Sequence, residues 1–247
     1  MDHDLVTFDL DGTLVDTAAE IAEAANRALE AHGLARRAPA EIALLIGAGA
    51  HALLRQLLAR CAAEDGQAVK VPTDDVLATF EHCYADIAGT RSAPYPGCIV
   101  ALTRLRAAGL KMACVTNKEL RHARTVLRKT GLEGFFDTVV GGDSFAHKKP
   151  HPSVLRQVAA DLGIALQRVA HVGDSAIDVA AARNAGVAAW AVPYGYNAGV
   201  PVAASNPDRM FDDLAQVADY VLGTAGAPSS IGAVTFKNDS LRGSKAR

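Results

Sequence analysis

Short apolar runs rich in β-branched residues recur along the chain and end in polar or glycine-containing turns: Leu5 to Leu10, Met112 to Thr116, Phe136 to Val140 and Val169 to Val172. A fifth run, Val187 to Val192, is mostly alanine. Between the later runs the apolar positions change to helical spacing, as in Val100, Leu102, Leu105 and Leu110, or Val154, Leu155, Val158 and Leu162. Strands alternating with helices predict parallel strands joined by crossovers, hence an α/β fold with a doubly wound parallel sheet. In such sheets ligands bind at the carboxyl ends of the strands.

The first two runs are separated by about a hundred residues, several times what one crossover needs. The intervening pattern predicts helices over Thr17 to Ala31, Pro39 to Ile46, His51 to Ala62 and Asp74 to Ala88. Thr17 and Glu20 have capping-box spacing at the start of the first. Gly47, Gly49, Asp65 and Gly66 interrupt the helical pattern, and Pro94, Tyr95, Pro96 and Gly97 mark the return to the sheet. The expected organisation is an α/β core from 1–15 and 93–224, an inserted α-helical cap at 16–92, and a flexible Gly, Ala, Ser and Lys-containing tail at 225–247.

Half of the 247 residues are hydrophobic, enough for a sizeable core. Lys plus Arg number 25 against 27 Asp plus Glu, which leaves no basic footprint for nucleic acid or an anionic membrane. The expected partner is a small molecule, with no nucleic acid and no membrane; the pattern carries no signal for oligomeric state. Cys61, Cys83, Cys98 and Cys114 are scattered without a CxxC pair and read as reduced thiols. With no basic leader and no long apolar window, a cytoplasmic location is expected.

Collecting the polar residues at the strand ends gives Asp9, Asp11, Gly12 and Thr13 after the first, Thr116 and Asn117 after the second, Lys148, Lys149 and Pro150 before the fourth, and Asp174, Ser175 and Asp178 after it. If extended geometry persists to Asp11, Asp9 and Asp11 project to one side. One carboxylate can then attack phosphorus while its neighbour handles the leaving group's proton. Two anions facing a phosphate need cations. Asp9 and Asp174 can hold Mg²⁺, Asp178 can orient a metal-bound water, and Lys149 adds a second positive charge. The Thr116 hydroxyl and nearby backbone N–H groups can bind phosphoryl oxygens.

The segments DLDGT, VTNK, KKPHP and GDSAID, in that order, resemble the four motifs of the haloacid dehalogenase (HAD) superfamily, and the insert after the first resembles its C1-type helical cap. The resemblance covers residues 4–222. It implies a phosphatase of a small phosphorylated metabolite, with Asp9 as nucleophile, Asp11 as general acid and base, Thr116 binding phosphate, Lys149 stabilising charge, and an acidic Mg²⁺ motif in which Asp174 and Asp178 join Asp9 and Asp11. Gly12 and Asn117 are the expected substrate-binding neighbours. Within the superfamily, GAGAHALLRQLL, VPYGYNAG and NPDRMFDDLAQV resemble segments of bacterial phosphoglycolate phosphatases. That resemblance implies hydrolysis of 2-phosphoglycolate. His51 and Arg55, at i and i+4 on one cap-helix face, can meet a carboxylate.

A capped phosphomutase shares these core motifs and is the alternative within enzymes. A non-catalytic receiver-like module also gathers acidic residues at strand ends, but needs neither the insert nor this length.

Overall fold

In the computed structural model, residues 2–65 and 71–224 are described. The tail expected at 225–247 lies outside them. Six strands form one parallel sheet in the order β5 (Thr138–Val140), β4 (Lys111–Val115), β1 (Leu5–Phe8), β6 (Val169–Gly173), β7 (Ala188–Ala191), β8 (Arg209–Met210). Leaving β1, the chain first builds outward through β4 and β5, then returns to β6 on β1's other edge. The reversal opens a crevice at the carboxyl ends of β1, β4 and β6, where this topology places ligands.

All four β1 residues are buried, as expected of a central strand covered on both faces. Alternation assigns them to two apolar cores. Val6, Phe8, Met112 and Cys114 join the larger, while Leu5, Ala113, Val115 and Val169 join the other. Thr7 and His171 are register partners and the polar exceptions, with Thr7 Oγ1 2.8 Å from His171 Nδ1.

Helices α1 (Ala18–Ala31), α2 (Pro39–Ala43), α3 (Ala50–Asp65) and α4 (Thr73–Ile87) come between β2 (Val15–Asp16) and β3 (Ala93–Pro94). Helix α1 packs on α2 and α4, and α3 packs on α4. The two short strands pair antiparallel, Val15 opposite Pro94, so the chain enters and leaves the inserted helices at one place. Helices α5 (Cys98–Ala107), α6 (Leu120–Lys129), α7 (Ser153–Asp161), α8 (Ala176–Ala185) and α9 (Leu214–Leu222) complete the layers around the sheet. No helix among the described residues is long and apolar enough to cross a membrane. All four cysteines are free.

The capping box predicted at Thr17 and Glu20 does not form, because both side chains have longer-range partners. Thr17 Oγ1 donates to Asp11 Oδ1 at 2.6 Å. Glu20, 1% exposed, accepts from the backbone N–H groups of Gly89, Arg91 and Ser92 and from the Ser92 hydroxyl, clasping the returning linker. A box does form at α8, between Ser175 and Asp178.

Candidate active site

Strand pairing of β1 stops at Phe8, and the chain turns sharply with Gly12 at φ +85°. A side chain at Gly12 would collide with Asp174 Oδ2, so glycine serves the turn and the close approach together. The extended geometry expected through Asp11 is thus not what aligns the two carboxylates. Asp9 and Asp11 nevertheless line the same cavity, which the turn brings about.

Asp9, Asp174 and Asp178 present oxygens within 4.8 Å of one another, and all three are buried. Lys149, from the loop before α7, inserts its ammonium between two of them, 3.0 Å from Asp9 Oδ1 and 2.7 Å from Asp178 Oδ1. Burial pushes the Asp9 carboxyl up to about 6, with Lys149 opposing the rise and Asp178 and Asp11 adding to it. Burial and the charges of Asp178 and Asp9 push Asp174 up to about 8. Asp178 goes the other way: burial alone would raise it, but Lys149 and His171 hold it well below the usual carboxylate range. Burial would lower Lys149, and Asp178 and Asp9 outweigh it and keep the ammonium charged.

Three carboxylates against one lysine leave a deficit of positive charge, and an all-oxygen donor set suits a hard divalent cation. The spare lone pairs distinguish the three groups. Asp178 Oδ1 faces Lys149 Nζ and His171 Nε2, and its Oδ2 accepts from the Ser175 N–H and hydroxyl, filling four acceptor sites. Asp174 Oδ1 accepts from Thr13 Oγ1 at 3.1 Å and Oδ2 from the Tyr196 N–H at 2.7 Å, one bond each. Asp9 Oδ1 receives the Leu10 N–H at 2.8 Å besides Lys149, while Oδ2 has no hydrogen bond among the described residues.

The Asp11 side chain, expected among the metal ligands, stands apart from the three-carboxylate group. Lys118 Nζ lies 3.0 and 2.8 Å from its two oxygens, and Thr17 donates to one of them, drawing the side chain away. Thr116 lies buried at the end of β4 and its hydroxyl accepts the Lys118 N–H at 3.2 Å. Asn117 Nδ2 donates to the carbonyls of Gly47 and Lys149, both at 3.0 Å, fastening the loop before α3 over the site. Lys148 Nζ does the same to Ala48 O at 2.8 Å. The partly open cavity measures about 50 Å³ and is lined by Asp9, Asp11, Thr116, Asn117 and Lys118 with groups from α1, α3, α4 and α6.

His51 and Arg55 are not brought to this cavity. Both are exposed on α3, where Leu53 faces inward instead, and His51 Nε2 lies 3.5 Å from Asp74 Oδ1. Helical spacing put the pair on one face but did not say which face turns inward. Lys118, Tyr84 and the segment Tyr194 to Tyr196 carry contacts to which sequence reasoning gave no role. Lys118 was in view as the last residue of VTNK. Tyr194 donates to Thr13 O at 2.8 Å, and a side chain at Gly195 would collide with Asp174, so this string braces the carboxyl ends of β1 and β6.

Residues 6–192 match the model of the haloacid dehalogenase-like hydrolase family. The chain belongs to that family. Among curated HAD relatives, a phosphoglycolate phosphatase of Psychrobacter arcticus is 35% identical over 223 residues, covering 90% of this chain and 97% of its own. A plasmid-encoded phosphoglycolate phosphatase of Cupriavidus necator is 41% identical over 210 residues, covering 85% and 89%. The HAD fold is shared with a crystal structure of a predicted phosphoglycolate phosphatase from Haemophilus somnus, with TM-score 0.85, 31% identity, and coverage of 91% of this chain and 99% of that one.

Proposed function

We propose that the chain is a Mg²⁺-dependent phosphomonoesterase that forms a phosphoaspartate on Asp9, with 2-phosphoglycolate as its preferred substrate. The observation that carries this reading is the division of labour between two carboxylates in one cavity. Asp9 sits in the acidic group with Lys149 and keeps Oδ2 free, while Asp11 is held separately by Lys118 and Thr17. Asp9 attacks phosphorus, the bond to the ester oxygen breaks, and Asp11 protonates the departing alkoxide. Asp11 then takes a proton from water, which attacks the phosphoaspartate and releases phosphate. Lys149 offsets the charge on Asp9, and Thr116 with the backbone around it offers donors to the phosphoryl oxygens.

Asp9 and Asp174, which keep spare lone pairs, would hold the cation, and Asp178 would act through Lys149. Held there, Mg²⁺ would supply positive charge against the phosphoryl oxygens. Residues 16–92 serve in this reading as a cap that excludes water and limits leaving-group size. The names of the curated relatives and a cavity of about 50 Å³ both support a short leaving group.

A panel of phosphate monoesters tests the reading. Wild-type protein with Mg²⁺ should turn over 2-phosphoglycolate with the highest kcat/KM, and Asp9→Asn should be inactive. Activity retained in purified Asp9→Asn would rule out the phosphoaspartate.

A further inference from the structure

The cavity also holds polar groups that the phosphoryl transfer does not use. Tyr84 of α4 is 1% exposed, and its hydroxyl donates to no acceptor among the described residues. A buried hydroxyl without an acceptor is unfavourable, and lining a cavity it points to a ligand that supplies one. The Lys118 ammonium lies 4.7 Å from the centroid of the Tyr84 ring, with 7% of its side chain exposed. Two of its three N–H donors meet Asp11, and the remaining side of the ammonium faces the Tyr84 phenol, whose own O–H proton reaches no acceptor among the described residues. Burial pushes the Tyr84 phenol up to about 12, Lys118 offsetting part of the rise, so the group is a neutral O–H donor at ordinary pH.

The other orphaned polar atoms of the cavity are engaged differently. Asn117 Oδ1 belongs to a side chain tied to the Gly47 and Lys149 backbones. Glu81 Oε1 belongs to a close group with Glu119 and His122. Glu119 is held above its ordinary range by burial and by Glu81. The other Glu81 oxygen is taken by His122 Nε2 at 2.5 Å and by Arg121.

We infer that Lys118 Nζ and Tyr84 Oη form the seat for a carboxylate on the substrate's leaving group. The inference rests on the reading above that the chain cleaves a short phosphate ester. Lys118 touches Asp11, the proposed donor to the ester oxygen, and the carboxylate carbon of a two-carbon acid is two bonds from that oxygen. A group bonded to Asp11 is therefore within reach of it. One ammonium N–H and one phenol O–H match the two oxygens of a carboxylate. A hydroxyl in its place would satisfy one donor and leave the other buried and unpaired.

The test compares 2-phosphoglycolate with 2-hydroxyethyl phosphate, which puts a hydroxymethyl group where the carboxylate stands. Wild type should favour the acid, and Tyr84→Phe should lower the ratio of the two kcat/KM values by about tenfold or more, mainly through KM for the acid. Lys118→Gln, read by the same ratio, should abolish the preference and serves if Tyr84→Phe does not fold. An unchanged ratio in both variants, with the two esters losing activity together, would overturn the seat and leave Tyr84 a packing residue. A wild type that hydrolyses both esters equally well would also overturn it while leaving the phosphatase reading intact. A wild type inactive on every phosphate ester would remove both.

Discussion

The backbone N–H of Tyr196 donates to Asp174 Oδ2 at 2.7 Å, so a residue after β7 holds a carboxylate at the end of β6. Its phenol accepts the N–H groups of Thr17 and Ala18, at 2.7 and 3.0 Å, and lies 2.8 Å from Asp16 Oδ1. Thr17 makes no side-chain cap of its own, and Tyr196 stands in for it from a distance.

Tyr196→Phe keeps the bond to Asp174 and removes the surrogate cap. A loss of about 1–2 kcal/mol in unfolding free energy is expected, read from urea midpoints at constant slope. No shift in midpoint would show that water caps α1 equally well.

Asp11→Asn should separate the two chemical steps. With p-nitrophenyl phosphate the leaving group needs little proton donation, so the first step proceeds and breakdown of the phosphoaspartate becomes limiting. Rapid mixing should show a stoichiometric burst of p-nitrophenol followed by slow turnover. Wild-type rates on both p-nitrophenyl phosphate and 2-phosphoglycolate would remove Asp11 from acid–base chemistry.

The affinity for Mg²⁺ should rise with pH. Asp174 at about 8 and Asp9 at about 6 both lie above the ordinary value of 3.8, so in metal-free protein these groups take up protons on folding. Their effect on stability follows: favourable ionisation is lost in the fold, and metal-free stability from these two groups falls as pH rises from about 4 to about 8. The cation must displace the protons, so binding should tighten between about pH 5.5 and 8.5 and release protons. Calorimetry in buffers of different ionisation enthalpy measures both effects. Affinity that is flat across that range would contradict the assignment.

Glu20→Ala should destabilise without touching the chemistry. It strips three N–H groups and one hydroxyl of residues 89–92 of a buried carboxylate, an expected cost of about 2–4 kcal/mol. Denaturant unfolding of the variant checks this, and a change below about 0.5 kcal/mol would mean that solvent replaces the clasp.

The parallel sheet was legible because five of its six strands lie on short apolar runs whose ends are marked by polar residues, and the positions of Asp9, Thr116 and Asp174 follow from those ends. Lys118 with Asp11, 107 residues apart, and Tyr196 with Thr17, 179 apart, have no local pattern to announce them. The capping-box spacing at Thr17 and Glu20 was a sound local rule defeated by stronger distant partners. The inward face of α3 was misjudged for a related reason. His51 and Arg55 share a face, but Leu53 and Leu54 decide which side is buried. Two-residue strands such as β8 are too short for periodicity to register.

The pairing of Val15 with Pro94 means that everything between them hangs from the sheet as a side branch with a single stem. No strand of the sheet threads through it, and no register in the sheet depends on how long it is. Insertions, deletions or wholesale exchange of the branch can therefore accumulate while Asp9, Lys149 and Asp174 keep their places.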